Sequence, residues 1–403
     1  MSETETSLAQ MDDILIISNY YPPEKGAAAN RIEQLALKLH QNNYKVSVIC
    51  PLGNYPKGEL FPEYKGKFTV TEIRDNITVK RLWIYPSVSK NILVRILSVL
   101  SFSMSLFFYL VFKKTPHKVV VQSPPLLLSF ILVLVLSWKK KKIILNISDL
   151  WPLAAIELKA LKEHSFSHHV SLFFERFIYK RATLILGQSN EIIKHVTSIF
   201  PDKNCHLYRN FPDHGVLMDL KTVESQPIKI FYAGLLGIAQ GVLELCQKID
   251  LKGLNIELHI FGDGAEKNEL ENLILQEKES KIFFHGMLDR KDLHEKLRTF
   301  DIAIVPLKTR IYGSVPSKIF EYSALGFPIL YFGGGEGENI VEENHLGWVA
   351  SVENHADLNK KLVEISKLSK SELNDRKQDI FNVTQHTFNL DHQIKDLITK
   401  NVF

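Results

Sequence analysis

A serine, a lysine and a glutamate lie close together in the segment 315–322, which reads Val-Pro-Ser-Lys-Ile-Phe-Glu-Tyr. We predict a short helix that begins near Ser317 and ends at Gly326. Backbone N–H groups at such a helix start, together with the ammonium group of Lys318, favour an anion such as a phosphate. The carboxylate of Glu321 can accept hydrogen bonds from two vicinal hydroxyls. This helix therefore has the groups to hold a ligand that carries both phosphate and hydroxyls.

Short apolar runs precede this helix, and most of them stop abruptly at a glycine. They lie at 231–234, 259–262, 283–286 and 302–306. Stretches of helical period, such as 265–277 and 290–298, follow them. Strand, tight turn and helix in repetition predict a parallel sheet covered by helices, which binds ligands at the carboxyl ends of its strands.

The first half of the chain shows the same alternation. Predicted strands lie near 13–18, 46–50, 79–83, 119–122, 143–147 and 183–186. The pattern resets after the Glu-Ser-Gln-Pro segment 224–227, which we interpret as a linker. A chain of 403 residues with 45% apolar content suits two domains, each with its own core.

Composition excludes several classes of protein. A net charge of +4, dispersed along the chain and without an aromatic and basic stripe, does not indicate a nucleic-acid binder. Three widely spaced cysteines, Cys50, Cys205 and Cys246, suit a reducing compartment and neither a disulfide framework nor a zinc site. The acidic segment 1–13 lacks the apolar core of a signal peptide. No Asp-x-Asp motif in a suitable loop and no His/Cys ligand spacing indicates a metal.

The order of the motifs resembles the retaining family 4 glycosyltransferases, and most of all the members that build O-antigen, colanic-acid-like and capsular glycans on a lipid carrier. The motifs lie at 14–23 with Gly26, 148–152 (Ser-Asp-Leu-Trp-Pro), 232–241, 261–264 (Phe-Gly-Asp-Gly), 285–286 and 316–328. The resemblance covers nearly the whole chain. It implies an α/β chain of the GT-B type, with two Rossmann-like doubly wound domains that face each other across a cleft. An acceptor-binding domain would span 12–224, a nucleotide-sugar domain 228–380, and a segment 381–403 would cross back to the first domain.

This resemblance also implies roles for residues of the second domain. Glu321 matches the second glutamate of the family's Glu-x7-Glu motif and would hold the ribose; the alternative is a solvated helix partner of Lys318. The first glutamate of the motif would fall at Gly313, so that carboxylate is missing here. Gln240 stands where the family commonly has a lysine. We therefore expect Lys318 to be the main cation for the leaving diphosphate.

Other donor contacts are expected around this lysine. Glycines would shape the turns beneath the diphosphate and over the base, two backbone groups would meet the base, and arginines would assist Lys318. These residues are Gly26, Gly234, Gly237, Gly262, Gly264, Met287, Leu288, Ser317, Arg310 and, outside the main set, Arg209. Ordinary turn chemistry at 262–264 and plain helix-to-sheet packing at Gly26 are the alternatives.

Asp149 follows a predicted strand and completes a catalytic set with Lys318 and Glu321. A carboxylate at a strand end could orient the acceptor hydroxyl, whereas an Asx turn that fixes the loop is the alternative. The resemblance implies transfer with retention and without metal or cofactor, in which the departing phosphate oxygen helps to deprotonate the incoming hydroxyl.

Two apolar runs, 96–112 and Leu126–Trp138, raise the question of a membrane. We exclude a hairpin of two spans, because the second run is shorter than the roughly 20 residues that a spanning helix needs and because the hairpin would remove two strands from the sheet. Lysines at 113–114 and 139–142 favour contact with an anionic inner leaflet. Core packing of these helices (92–138) or a dimer contact is the alternative.

The resemblance implies a glycosyltransferase (EC 2.4) that moves a sugar, of the N-acetylated hexosamine type, from a UDP-sugar to a polyprenyl-diphosphate-linked saccharide. It would act in bacterial surface polysaccharide biosynthesis, in the cytoplasm on the inner face of the membrane. A nucleotide-sugar epimerase of similar fold and a non-catalytic scaffold of a glycan-assembly complex are the alternatives.

Overall fold

The computed structural model of the chain describes residues 12–24, 26–89, 91–213, 227–276 and 281–403. Two compact α/β units are present. Unit 1 comprises Met1–Arg209 with Asp391–Phe403, and unit 2 comprises Asn210–Leu390. The predicted linker 224–227 lies, apart from Pro227, outside the described residues.

Unit 1 is built on an eight-stranded sheet. Its elements are β1 (Asp13–Ile17), α1 (Ala27–Gln41), β2 (Lys45–Pro51), a 3-10 turn (Pro62–Tyr64), β3 (Thr69–Arg74), β4 (Ile77–Leu82), α2 (Ile92–Phe112), β5 (Lys118–Ser123), α3 (Leu126–Trp138), β6 (Lys142–Ile147), α4 (Leu153–Glu157), α5 (Phe166–Arg181), β7 (Leu184–Gly187), α6 (Asn190–Ile199) and β8 (Cys205–Leu207). The strand order is β3-β4-β2-β1-β5-β6-β7-β8, parallel except for the β3–β4 pair. Apolar strands such as β1, buried from Ile14 to Ile17, are what a sheet covered on both faces requires.

Unit 2 is built on a six-stranded parallel sheet. Its elements are β9 (Ile228–Leu235), α7 (Val242–Lys248), β10 (Ile256–Asp263), α8 (Lys267–Gln276), β11 (Ile282–Phe284), α9 (Arg290–Leu297), β12 (Ile302–Pro306), α10 (Ser317–Ser323), β13 (Ile329–Phe332), α11 (Glu336–Glu343), β14 (Gly347–Val349), α12 (His355–Ile365) and α13 (Lys370–Thr387). The order β11-β10-β9-β12-β13-β14 reverses between β9 and β12. Such a reversal opens a crevice at the carboxyl ends of the two strands, where doubly wound sheets bind ligands.

The end of the chain differs from the single segment predicted at 381–403. Two helices cover it, α13 and α14 (Leu390–Thr399), and the break falls at Phe388. Phe388 is buried against Phe211 and Phe320, at ring-centroid distances of 5.4 and 5.1 Å. Anchoring this side chain where α13 ends explains why the helix does not run on.

Strand β3 was not among the predicted strands. It pairs antiparallel with β4 through a tight turn at Asp75 and Asn76, which both have positive φ, at 49° and 63°. Two consecutive residues of this kind form the hairpin turn that matches strand twist. The Asp-Asn pair was therefore the available signal for the strand.

The two apolar helices of unit 1 differ in what covers them. Helix α3 packs between α2 and α5, and Phe130 stacks on Phe174 at 4.2 Å. Core packing, the alternative interpretation, therefore holds for α3. Helix α2 instead exposes a continuous apolar stripe, formed by Leu93, Leu97, Leu100, Met104, Phe108 and Phe112. Its stretch Leu93–Phe112 is long and apolar enough to cross a membrane by length and composition, and 22% of it is buried.

Candidate functional site

Lys318 lies at the carboxyl end of β9. Its Nζ donates a hydrogen bond to the carbonyl oxygen of Ala233 at 2.5 Å and stands 5.7 Å and 5.5 Å from the ring centroids of Tyr232 and Tyr322. A Cβ added to Gly234 would come within 2.5 Å of this Nζ. The glycine therefore leaves room for the ammonium group beside the turn that follows β9. An ammonium carries three donors, so the bond to Ala233 leaves two for a ligand.

Tyr322 fastens α10 to the same point of the sheet. Its hydroxyl donates to the carbonyl of Ala233 at 2.7 Å and accepts from the N–H of that residue at 3.1 Å. Burial raises the pKa of the Tyr322 hydroxyl well above its ordinary value, because the phenolate would lose its hydration. The helix that carries Lys318 and Glu321 is thus fixed by a neutral, hydrogen-bonded tyrosine.

Glu321 and Ser317 lie on the same helix and contact each other. The hydroxyl of Ser317 donates to Oε1 of Glu321 at 2.8 Å, and Glu321 is exposed. Since the ammonium of Lys318 is bonded to Ala233, the structure gives Glu321 a serine as its helix neighbour instead of the lysine. The carboxylate keeps its second oxygen for hydroxyl groups of a ligand.

The glycines of the first two turns are required by the backbone itself. A Cβ on Gly262 would lie 1.8 Å from the carbonyl oxygen of Gly234, and one on Gly264 would lie 2.3 Å from that of Leu236. Both glycines have positive φ, 151° and 157°. A residue with a side chain cannot make either approach. Gly262 is required by the close pairing of the ends of β9 and β10, and Gly264 by the contact between the loops that follow them, before any ligand is considered.

Gln240, which replaces the expected lysine, is folded back on its own loop. Its Oε1 would meet a Cβ at Gly237 within 2.6 Å, and its N–H donates to the carbonyl of Gly237 at 3.0 Å. The loop 237–241 is joined to the segment after β12, because Lys308 N–H donates to Ala239 at 3.0 Å. Gln240 therefore shapes this loop, and its amide N–H₂ can donate to a phosphate.

Other predicted donor contacts lie further along the same edge. The N–H of Gly262 donates to the carbonyl of Gly286 at 2.8 Å, which brings the exposed Met287 and the half-buried Leu288 beside the turn after β10. Arg310 is exposed after β12 and packs against Gly335, where a Cβ would approach its Nε to 2.5 Å.

A charged pocket of about 260 Å³, not foreseen from the sequence, opens beside Gln240 at the ends of β9, β12 and β13. Glu244 lies in it and accepts from Lys248 at 2.5 Å and from Lys308 at 2.8 Å. Hydrogen bonds from these two lysines lower the pKa of Glu244 to about 2. The only sequence signal was a helix-spaced Glu-Lys pair, which is common on exposed helices.

In unit 1, Asp149 follows β6 and is accompanied by an arginine that the sequence did not single out. Arg31, in the second turn of α1, is 3% exposed and donates through Nη1 to Oε1 of Gln188, the residue after β7. Burial raises the pKa of Asp149, and the charge of Arg31 opposes that rise. Within unit 1 the structure therefore groups Asp149 with Arg31 and Gln188 at the carboxyl edge of the sheet.

The loop between β1 and α1, which ends at the exposed Gly26, is held by buried charges. The carboxylate of Glu24 accepts from the N–H groups of Asn54 at 2.9 Å and Tyr55 at 3.0 Å. Burial raises the pKa of Glu24. Arg81, fully buried, donates to the carbonyl of Pro22 and to Glu72. Arg209, a predicted helper, lies after β8, where its N–H donates to Gln393 of α14 at 2.8 Å.

No group of three or more His, Cys, Asp or Glu side chains suited to a metal is found within the described ranges. Metal independence stays a prediction.

Comparison with known proteins gives one family match. Residues 221–379 match the model of glycosyl transferases group 1. The probable glycosyltransferase WbjE of Pseudomonas aeruginosa is 24% identical over 247 residues, which are 58% of this chain and 62% of that protein. The chain thus aligns with less than two thirds of this relative's length.

Solved structures resemble the chain over nearly its whole length. They include sucrose-phosphate synthase from Thermosynechococcus elongatus (TM-score 0.70, 13% identity, 97% of this chain and 99% of that one). A structure described as trehalose-6-phosphate from E. coli bound with UDP-2-fluoro glucose has a TM-score of 0.69 with 12% identity, over 96% and 98% of the two chains. WaaG, a glycosyltransferase involved in lipopolysaccharide biosynthesis, has a TM-score of 0.61 with 13% identity, over 96% and 99%.

The chain has the GT-B fold of glycosyltransferases, with two α/β units on parallel sheets, which confirms the predicted fold class. Its residues 221–379, which include the crevice-forming strands β9 and β12, match the group 1 family of these enzymes.

Proposed function

We propose that this chain is a retaining glycosyltransferase that moves a sugar from a UDP-sugar to a lipid-linked saccharide. The observation that carries the proposal is the family match over 221–379 together with the position of Lys318 at the turn after β9. A sugar nucleotide has a diphosphate that needs a cation and a ribose that needs a hydroxyl acceptor, and α10 presents a lysine and a glutamate in that order.

The donor roles that we propose come from the resemblance, and the positions of side chains on α10 support them. Lys318 would neutralise the charge that develops on the departing diphosphate, which is where preorganised charge accelerates a transfer most. Glu321 would accept from the ribose hydroxyls, with Ser317 fixing its rotamer. Gln240 would add a neutral donor to the phosphates, and Met287 and Leu288 would meet the base.

Asp149 would orient the acceptor hydroxyl, and a departing phosphate oxygen would take its proton. Proton, electron pair and leaving group then balance without a metal: the sugar–phosphate bond breaks, the new glycosidic bond forms and the diphosphate leaves protonated. The N-acetylated hexosamine type of donor is proposed from the resemblance to O-antigen and capsule enzymes. The UDP-2-fluoro glucose complex among the similar structures supports UDP as the nucleotide, and WaaG supports a role in surface polysaccharide synthesis.

The acceptor is proposed to be a polyprenyl-diphosphate-linked saccharide at the inner face of the bacterial cytoplasmic membrane. The exposed stripe of α2 supports a surface contact with lipid, because apolar side chains along one helix face can enter the acyl boundary. The helix stays attached to its unit: Ser105 of α2 donates to the carbonyl of Trp83 at 2.9 Å, and Lys139 caps carbonyls at the end of α2. Lys113 and Lys114, both exposed, remain for anionic headgroups.

Release of the free nucleotide tests the reaction. Incubation with UDP-, GDP- and ADP-sugars, with and without a short-chain polyprenyl-diphosphate saccharide, should give UDP only when both substrates are present. Conversion of the donor sugar without acceptor would instead indicate the epimerase, and absence of any turnover would favour the scaffold. The anomeric configuration of the product, read by NMR coupling constants, tests retention.

Flotation with liposomes tests the membrane contact. The wild type should float with vesicles that contain anionic phosphatidylglycerol, and the double variant Leu97→Glu/Phe108→Glu should stay in solution. Leu275→Glu, which changes an even more exposed leucine on α8 of unit 2, is the control and should float. A wild type that never floats would contradict the proposal.

A further inference from the structure

Arg31 is an unusual residue within unit 1, because it is a buried cation whose donors are only partly used. The side chain is 3% exposed. Nη1 donates to Gln188, whereas Nε and Nη2 have no acceptor among the residues that the structure describes. A buried hydrogen-bond donor without a partner costs about 1–3 kcal/mol, and more when it is charged. A buried donor of this kind is expected where a ligand or a bound water supplies the missing acceptor.

Two groups oppose the effect of burial on the pKa of Arg31, first the buried Tyr208 and then Asp149, and Asp149 is the carboxylate of the two. Arg31 and Asp149 are not joined in an ion pair. Arg31 acts on the pKa of Asp149 through its charge, and Asp149 acts on that of Arg31 in the same way. Burial raises the pKa of the carboxyl and lowers that of the guanidinium, so both ions have lost water. Arg31 and the half-buried Asp149 act on each other through their charges without an ion pair, so they suit a ligand group that accepts from one and donates to the other.

A hydroxyl group does both, since its oxygen accepts while its hydrogen is donated. A phosphodiester or a carboxylate can only accept, and any phosphate would bring a second negative charge beside Asp149. The guanidinium presents its donors in a fixed planar fork, and adjacent ring hydroxyls offer two oxygens that can accept from it. The chemistry of this pair therefore favours a neutral, hydroxyl-rich ring over an anion.

The helix and strands that carry these side chains place all three at the same edge of the sheet. Arg31 lies early in α1, which begins after Gly26, while Asp149 and Gln188 follow β6 and β7. All three therefore stand at the carboxyl ends of parallel strands, where open α/β sheets bind ligands. Burial at this edge is what gives hydrogen bonds to a neutral sugar their selectivity.

We propose that Arg31 and Asp149 together hold a sugar ring of the saccharide acceptor, with Arg31 donating to its ring hydroxyls and Asp149 accepting from one of them. Arg31 is thus a positioning residue for the acceptor. This inference rests on the proposed transfer function, and it assigns recognition of the acceptor sugar to Arg31 and Asp149 of unit 1.

Acceptor kinetics test the assignment. Arg31→Lys keeps the charge but loses the planar fork, so the KM for the acceptor should rise about 10- to 100-fold while the KM for the donor stays within about twofold. Asp149→Asn should also raise the acceptor KM, and the double variant should lose less than the product of the two changes. Lys38→Met is the matched control, since Lys38 is a buried cation further along the same helix, 3.0 Å from Asp391, and its removal should leave the acceptor KM unchanged.

A binding measurement separates this proposal from the function on which it rests. Methyl glycosides of glucose, galactose and N-acetylglucosamine are titrated into the full chain, and the ¹⁵N side-chain signal of Arg31 is followed without any donor sugar. At least one glycoside should shift the Arg31 Nε–H resonance, and inorganic phosphate should not. This readout needs no variant to fold and no turnover.

Three results would overturn the proposal. The first is an unchanged acceptor KM in a folded Arg31→Lys variant that still turns over donor. The second is a shift of the Arg31 resonance by phosphate and by no glycoside, which would make the site an anion site. The third is no shift by any glycoside, which would leave the buried donors to ordered water. If glycosides bind through Arg31 but no nucleotide sugar is turned over, the proposed function falls and the sugar site stands.

Discussion

The carboxyl edges of the two sheets are prepared for ligands in different ways. In unit 2 the edge is shaped by backbone: Gly262 and Gly264 lie against the end of β9 and the residue after it, and Lys318 is already bonded to Ala233. In unit 1 the edge is shaped by side chains, and two nitrogens of Arg31, Nε and Nη2, find no acceptor in the described part of the chain. The same topology thus carries two kinds of site. In unit 2, adding a Cβ at a glycine should destabilise the edge of the sheet. In unit 1, removing a hydrogen-bond donor should weaken ligand binding.

The largest effect is expected at Lys318, the cation that we assign to the departing diphosphate. Lys318→Ala should lower kcat by about 10²–10³-fold while the donor KM changes little, because the ammonium acts on charge that develops during transfer. Steady-state UDP release measures both constants. Lys308→Ala is the matched control: that exposed lysine lies on the adjoining loop and pairs with the half-buried Glu244, so its loss should change kcat less than twofold. Equal losses in the two variants would remove Lys318 from its role.

The second effect concerns the backbone of the same edge. Gly262→Ala would put a Cβ 1.8 Å from the carbonyl oxygen of Gly234, at a φ of 151°, so we expect a loss of about 3 kcal/mol or more in the free energy of unfolding. Gly253→Ala, whose φ is 71° and whose Cβ would meet nothing within 4 Å, should cost only about 1 kcal/mol. Urea denaturation of both variants gives the comparison. If the two losses are alike, loop contact is not what requires Gly262.

The smallest effect concerns a histidine just before the turn of Met287. His285 stacks between Phe261, at 4.5 Å, and His259, at 5.2 Å, and burial is the main cause that lowers its pKa to about 4. Between pH 6.5 and 4, His285 is therefore protonated in the unfolded chain and neutral in the folded protein. Stability that is complete above pH 6.5 should fall as the pH is lowered, by on the order of 1 kcal/mol after allowance for the half-exposed ring.

A variant isolates that contribution. Unfolding of His285→Gln followed between pH 7 and 4.5 should show a shallower fall than the wild type, because glutamine can still bond His259 at its Nδ1 but does not titrate. Parallel curves for the two proteins would show that another group causes the fall.

Much of the fold could be read from local patterns. Apolar runs that end in glycine located β9, β10 and β11, the run that ends at Pro306 located β12, and the order of the runs indicated a doubly wound sheet. The edge strand β3 escaped because its burial alternates and its turn is marked only by Asp75 and Asn76. The segment 381–403 was read as one element, since the packing of Phe388 against Phe211 depends on a partner far away in sequence.

The part of the candidate site that lies on glycine turns and on one short helix could be predicted from the sequence. Lys318 and Glu321 could be named from one short segment, and the structure places Lys318 at the turn of Gly234. Arg31 could not, because a single arginine in a helix gives no local sign of burial. Its place in the candidate site is shown by its hydrogen bond to Gln188, which lies 157 residues away in the sequence. The sequence left core packing of α3 as an alternative for the same reason: α2 and α5, which cover it, are separate elements of the chain.

By itself the sequence determined the alternation of strands and helices, the glycine turns and the identity of the charged residues of α10, because these depend on neighbours within a few positions. Only the tertiary structure decided which apolar helix is covered, which buried donor keeps unused hydrogen-bonding capacity and which carbonyl receives the Lys318 ammonium. Burial and hydrogen-bond satisfaction are set by groups that folding brings together from distant parts of the chain.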